Sequence, residues 1–242
     1  MGGRVRVMVV QDGDELNWAA ADLVSEALAA NPRASVVAAT GRTPTGLYAE
    51  LGARRASGLN TSGVIVFQLD EYLGLETSDR RSLLGWMRRS FLTPLGIPEE
   101  RVVRLPTDGD LGPACSAFDR AIEARGGIDL AILGLGPNGH LGFNEPPSSP
   151  DDPTRIVGLS PLTLEGNARY WGDVADVPPK AVTMGLRQLL VRAHDSAARL
   201  RASKARDCAR GPRGTGRSRG SRLFPTGIGG GDDGGCRPRR VE

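Results

Sequence analysis

His140 closes a glycine-rich run, Gly136-Pro137-Asn138-Gly139-His140, and Glu145 follows five residues later. An imidazole exchanges protons near neutral pH and a nearby carboxylate can orient it, so the pair suits general acid–base work. A metal site is the weaker reading, because no second His or Cys stands at ligand spacing. A hydrogen-bonded structural histidine stays open, although Gly139 and Gly142 favour close approach of a ligand. Asp70 directly follows the apolar run Val64–Leu69. A partly buried carboxylate there can serve as a general base; a helix cap or a surface charge is the plainer alternative. Glu71 is expected to be structural, since successive residues point in different directions. Thr40-Gly41-Arg42-Thr43 carries hydroxyls and backbone N–H groups that suit a phosphate at a helix N-terminus. An ordinary turn with a threonine cap remains the alternative.

These residues need strands and helices to hold them. Val5–Val10 reads as a strand and Asp14–Ala30 as a helix that stops at Asn31-Pro32. Strands are predicted over Ser35–Ala39, Val64–Leu69, Val102–Leu105 and Ile128–Leu135. Helices are predicted over Thr45–Ala56, Ser82–Leu95 and Pro113–Arg125. Strands alternating with helices predict an open, mostly parallel, Rossmann-like α/β sheet with helices on both faces. The three polar clusters each follow a predicted strand. In such sheets ligands bind outside the carboxyl ends of the strands, so the clusters are expected to share one pocket.

Composition narrows the class. The chain has 242 residues and a net charge of +3, with 33 Gly and 3 Cys. No run approaches the roughly 20 apolar residues of a membrane span. The opening run lacks the apolar core and cleavage site of a signal peptide. Three cysteines (Cys115, Cys208, Cys236) make neither a disulfide framework nor a zinc site. A soluble, cytoplasmic protein is expected. Charge is uneven: residues 1–200 carry 20 Lys+Arg against 24 Asp+Glu, and residues 201–242 carry 11 against 4. Such a basic tail reads first as a disordered arm for nucleic acid. Its lack of aromatic residues beyond Phe224 weighs against that.

The run Leu135-Gly-Pro-Asn-Gly-His-Leu-Gly-Phe-Asn-Glu-Pro146 resembles the signature of glucosamine-6-phosphate deaminases. Phe67–Gly74 resembles their second motif and Ala39–Gly46 their phosphate loop, in the same order and spacing. The resemblance spans roughly residues 5–190. The related 6-phosphogluconolactonases share the Gly-His loop but not the Phe-Asn-Glu-Pro that follows it. The resemblance implies amino-sugar catabolism, with glucosamine 6-phosphate and water giving fructose 6-phosphate and ammonia. His140 would open the pyranose ring with Glu145 as partner, and Asp70 would move the proton from C2 to C1. Asn138 would belong to the catalytic set, at a position where some members carry an acidic residue. Thr40, Gly41, Arg42 and Thr43 would hold the phosphate, with Arg42 standing where many members have a small residue. Arg169 matches an arginine that contacts substrate. Ser148, Ser149 and Arg155 match an allosteric site of hexameric members, but Val157 replaces their effector-binding lysine. The implied partner is a small sugar phosphate, with no nucleic acid and no membrane, and a homo-oligomer is left open. No metal or organic cofactor is required.

After Leu190 the chain leaves the family pattern. Shifted by one base, codons for Asp195–Arg199 permit Ile-Val-Leu-Leu-Val, the strand that members carry there. Those for Gly211–Arg217 permit Ala-Leu-Glu-Gly-Pro-Val-Gly. Residues 1–192 are therefore expected to form the sugar-phosphate domain. Residues 193–242 are expected to be a frame-shifted, disordered tail that has lost a strand and the phosphate lysine, impairing activity. A lactonase-like enzyme and an inactive sugar-phosphate binder are the alternatives.

Overall fold

Asp12 starts the first helix. Its carboxylate accepts the N–H groups of Asp14 and Glu15 at 3.0 and 2.9 Å, which satisfies two of the donors a helix leaves open at its start. In the computed structural model, which describes residues 7–76, 78–136, 138–190 and the backbone of 199–202, helix α1 then runs Gly13–Ala30. Strand β1 (Ser35–Ala38) and helix α2 (Thr45–Ala56) follow. Next come β2 (Ile65–Phe67) and β3 (Asp70–Tyr72). Helix α3 (Leu83–Met87) continues through a π turn at Arg88–Leu92 into α4 (Thr93–Leu95), which ends at a left-handed Gly96. The remaining elements are β4 (Val102–Val103), α5 (Leu111–Ala124), β5 (Leu130–Gly134), β6 (Arg155–Gly158), α6 (Pro161–Trp171), β7 (Lys180–Thr183), α7 (Leu186–Leu190) and β8 (Arg199–Ala202).

Five parallel strands form the main sheet in the order β4-β2-β1-β5-β8. Alternate residues of a strand face opposite sides, and the core divides accordingly. Val36, Ala38, Val66, Leu130 and Ile132 pack with α1, α2 and the 83–95 segment. Val37, Ala39, Phe67, Ala131 and Leu133 pack with α5 and α7. The expected helices on both faces are present. β1 lies between β2 and β5, so the segments that carry Thr40, Asp70 and His140 follow three adjacent strands. Strand order reverses beside β1, the place where such sheets open a crevice.

Three expectations need correction. Residues 7–10 form no strand, and Val7 and Val9 are 78% and 87% exposed; the rest of that run lies outside the described residues. Apolar character suits a strand but does not supply a pairing partner. Asp70 does not end an apolar strand but begins β3, in a second, antiparallel sheet of order β3-β7-β6. Its small core joins Tyr72, Phe143, Leu159, Val177 and Ala181. The strand expected to be lost near 195–200 is represented by β8, paired with β5 from Ala131↔Arg199 to Gly134↔Ala202. A ladder is made of backbone groups, so polar residues can form it. The chain divides into two units, Met1–Lys204 and Ala205–Glu242. The second unit, and with it most of the expected frame-shifted tail, lies outside the described residues.

Candidate active site

The loop after β5 folds back on itself. The Gly136 N–H donates to the His140 carbonyl at 3.0 Å, and a Cβ on Gly136 would stand 2.2 Å from His140 Nε2. Only glycine lets the imidazole lie this close to the backbone. His140 Nδ1 is buried without a hydrogen-bond partner and lies 3.9 Å from Glu145 Oε1, just beyond bonding distance. Burial lowers the imidazole pKa, and the charge of Glu145 partly offsets this. Asn138 Oδ1 accepts the His140 N–H at 3.2 Å, and its Nδ2 donates to Glu145 at 3.4 Å. The loop thus gathers the three residues expected there.

Glu145 is held from the start of α6. Ser160 N–H donates to Oε2 at 2.9 Å, while the Ser160 and Thr163 hydroxyls donate to Oε1 at 2.5 and 2.7 Å. Burial pushes the carboxyl pKa up, but these bonds outweigh it and hold the group below the ordinary glutamate range. Ser160 also caps α6, and Pro161 takes the first helical position. Sequence reasoning missed both hydroxyl residues. The Ser160-Pro161 start signal was available, but nothing local ties it to Glu145.

Asp70 is 6% exposed, and its Oδ1 has no hydrogen-bond partner. Burial, with help from the Glu71 charge, raises its pKa to about 7. Glu71 beside it is fully engaged: it accepts the N–H groups of Tyr72, Leu83 and Leu84 and the Gln68 amide, all at 2.8–2.9 Å. Its expected structural role stands. Thr183, opposite Asp70 in the ladder, links the two clusters. Its hydroxyl accepts the Phe143 N–H at 3.2 Å, and a Cβ on Gly142 would stand 3.0 Å from it and 3.3 Å from Leu69. Asn144 Nδ2 secures the same loop through the Leu141 and Met184 carbonyls at 3.0 and 2.8 Å.

The other candidates vary in how far the fold recruits them. Thr40–Thr43 leads into α2, whose start has no side-chain cap; the Thr45 N–H donates to the Arg42 carbonyl at 3.4 Å and the Thr45 hydroxyl to the Gly41 carbonyl at 3.3 Å. An apolar cleft lined by Asn17, Thr43, Pro44, Leu133 and Gly134 joins this turn to the end of β5. Asp70 and His140 do not line it. Arg169 is exposed, its guanidinium 4.8 Å from the centre of the Tyr170 ring, and no described contact joins it to the acid–base groups. Arg155 bonds Asn144, Ser148 and Asp152 at 2.8, 2.8 and 2.9 Å. Ser149 instead bonds Asp152 through its N–H. Among the described residues, no group of three or more His, Cys, Asp or Glu side chains could hold a metal ion, and no helix is long and apolar enough to cross a membrane.

Residues 13–152 match the model of the glucosamine-6-phosphate isomerase/6-phosphogluconolactonase family. A glucosamine-6-phosphate deaminase of Lysinibacillus sphaericus is 41% identical over 180 residues, covering 73% of this chain and 76% of that protein. One of Pseudarthrobacter chlorophenolicus is 39% identical over 214 residues, covering 86% and 82%. A solved structure of a monomeric glucosamine-6-phosphate deaminase superposes with a TM-score of 0.73 at 33% identity, over 77% of this chain and 78% of that one. A 6-phosphogluconolactonase from Thermotoga maritima shares the fold at a TM-score of 0.57 and 22% identity, over 75% and 78%. With the shared sheet, the three loops in register and these matches, the chain belongs to the glucosamine-6-phosphate isomerase/6-phosphogluconolactonase family.

Proposed function

We propose that this chain is a glucosamine-6-phosphate deaminase. The observation that carries the reading is a buried carboxylate with a free oxygen, Asp70, next to a loop that presents His140 and Glu145. Hydrolysis of a lactone has no carbon-bound proton to move, whereas deamination by aldose–ketose isomerisation needs a base for C2. His140 moves the proton that opens the pyranose ring, steadied by Glu145 and Asn138. Asp70 takes the C2 proton and returns it to C1, which turns the amino aldehyde into the imine of fructose 6-phosphate. Water then hydrolyses the imine and releases ammonia. Thr40, Gly41, Arg42 and Thr43 receive the phosphate at the start of α2, and Arg169 supports the substrate from α6. The proposed partner is the sugar phosphate alone, acting in the cytoplasm. Effector binding at Ser148, Ser149 and Arg155, and a homo-oligomer, are separate proposals, the second checked by sedimentation.

The test is direct. The purified chain, supplied with glucosamine 6-phosphate, is expected to release ammonia and fructose 6-phosphate in equal amounts. It is expected to leave 6-phosphogluconolactone at its spontaneous hydrolysis rate. Lactone hydrolysis without ammonia release overturns the proposal.

A further inference from the structure

Ser160, Thr163, Asn167 and Trp171 are spaced by three, four and four residues and so share one face of α6. That face meets both halves of the site. At its start, Ser160 and Thr163 grip the Glu145 carboxylate. Farther along, Asn167 donates to the Tyr72 hydroxyl at 2.9 Å, and the Trp171 ring packs edge-on against Tyr72 at 5.3 Å. Tyr72 belongs to the strand that carries Asp70. The outer face of the helix is exposed at Leu162 and Tyr170.

We propose that Ser160 and Thr163 are positioning residues, whose first-turn donors hold the Glu145 carboxylate at a set place against His140. The role of the pair in catalysis rests on the deaminase reading, whereas the clamp itself rests on geometry. Three of the donors to Glu145 belong to these two residues, and the fourth, Asn138, is the longest at 3.4 Å. With Oε1 tied to the helix, the 3.9 Å gap to His140 Nδ1 is set by where α6 sits. The charged group that acts on the imidazole is Glu145, and the one that acts on Glu145 is His140. Arg155 meets the loop elsewhere, at Asn144 and at Ser148, whose hydroxyl bonds the Glu145 carbonyl. Losing a clamp donor should leave Glu145 less closely placed against His140, so it should raise the His140 pKa by less.

The experiment reads His140 by NMR titration of the full chain. The sequence has 2 histidines, His140 and His194, and His194→Gln assigns the signals. Thr163→Val removes the hydroxyl at nearly constant volume, and Thr163→Ser restores it. The expected result is a His140 midpoint lowered by about half a pH unit in Thr163→Val and regained in Thr163→Ser. In the deamination assay kcat should fall about tenfold with KM nearly unchanged. Asn167→Ala disturbs the same helix face without touching Glu145, and should leave the midpoint in place. An unmoved midpoint in Thr163→Val, or an equal shift in Asn167→Ala, overturns the proposal. Should Thr163→Val fail to fold, Ser160→Ala is read by the same criteria. A wild-type chain that releases no ammonia refutes the proposed function, while the titration still decides the clamp.

Discussion

Asp70 and Glu71 are adjacent carboxylates with opposite surroundings. Four donors satisfy Glu71, whereas Asp70 keeps a buried oxygen without a partner. Leaving such a group unpaired costs stability, and a base needs a free lone pair. The folded-state pKa of Asp70 is raised to about 7, against about 3.9 in an unfolded chain. The folded protein therefore keeps a proton that the unfolded chain has already released. This contribution is fully present below about pH 4 and is lost as pH rises through about 7. Asp70→Asn should remove that loss and stabilise the protein at pH 8 by roughly 2–4 kcal/mol, read by urea denaturation. Deamination should fall by about 10²–10⁴-fold. Wild-type stability at pH 8 would show that Asp70 is not held against its preference to protonate.

At the scale of elements, α3 has only five residues and could not hold its place alone. Glu71 secures it by accepting the N–H groups of Leu83 and Leu84, while Ser82 accepts that of Gly85 at 2.9 Å. The carboxylate thus fixes the start of the helix to β3, next to Asp70. Glu71→Ala strands several buried donors at once and should destabilise the fold by about 3 kcal/mol or more. Amide exchange at Leu83 and Leu84 should quicken beyond what global destabilisation explains. Ordinary protection at those amides would mean that α3 is held by packing instead.

For the whole molecule, the question is where the working chain stops. β8 covers the edge of β5, a strand whose first four residues are buried. A chain ending at 190 lacks β8 and presents that edge to solvent, which invites association. A chain ending at 204 keeps β8 and the entire first unit. The shorter form should melt several degrees lower and scatter light on warming, while the longer one should melt with the full chain. Equal melting of both truncated forms would show that β8 adds nothing to the sheet.

Much of this architecture is readable along the chain. The helices at 13–30, 45–56 and 111–124 fall within about two residues of their expected bounds, because apolar spacing at helical period is a local pattern that long segments repeat. The short buried strands β1, β2 and β5 are legible as apolar runs closed by turn residues. Their adjacency then carries Thr40, Asp70 and His140 to one end of the sheet. The pairing of His140 with Glu145 is legible as a candidate, since the two stand five residues apart in one glycine-containing loop, although their 3.9 Å approach is set by the fold. The second sheet is not. Asp70-Glu71-Tyr72 is a three-residue strand of polar character, and it becomes a strand only because Lys180–Thr183 pairs with it from far along the chain. The grip of Ser160 and Thr163 on Glu145 likewise depends on where α6 docks. Residue types and local periods select the chemistry and the main sheet. Burial, missing partners and long-range pairing arise only when distant segments exclude water from the same place, and those conditions leave one aspartate with a free buried oxygen and tie the neighbouring glutamate to four donors.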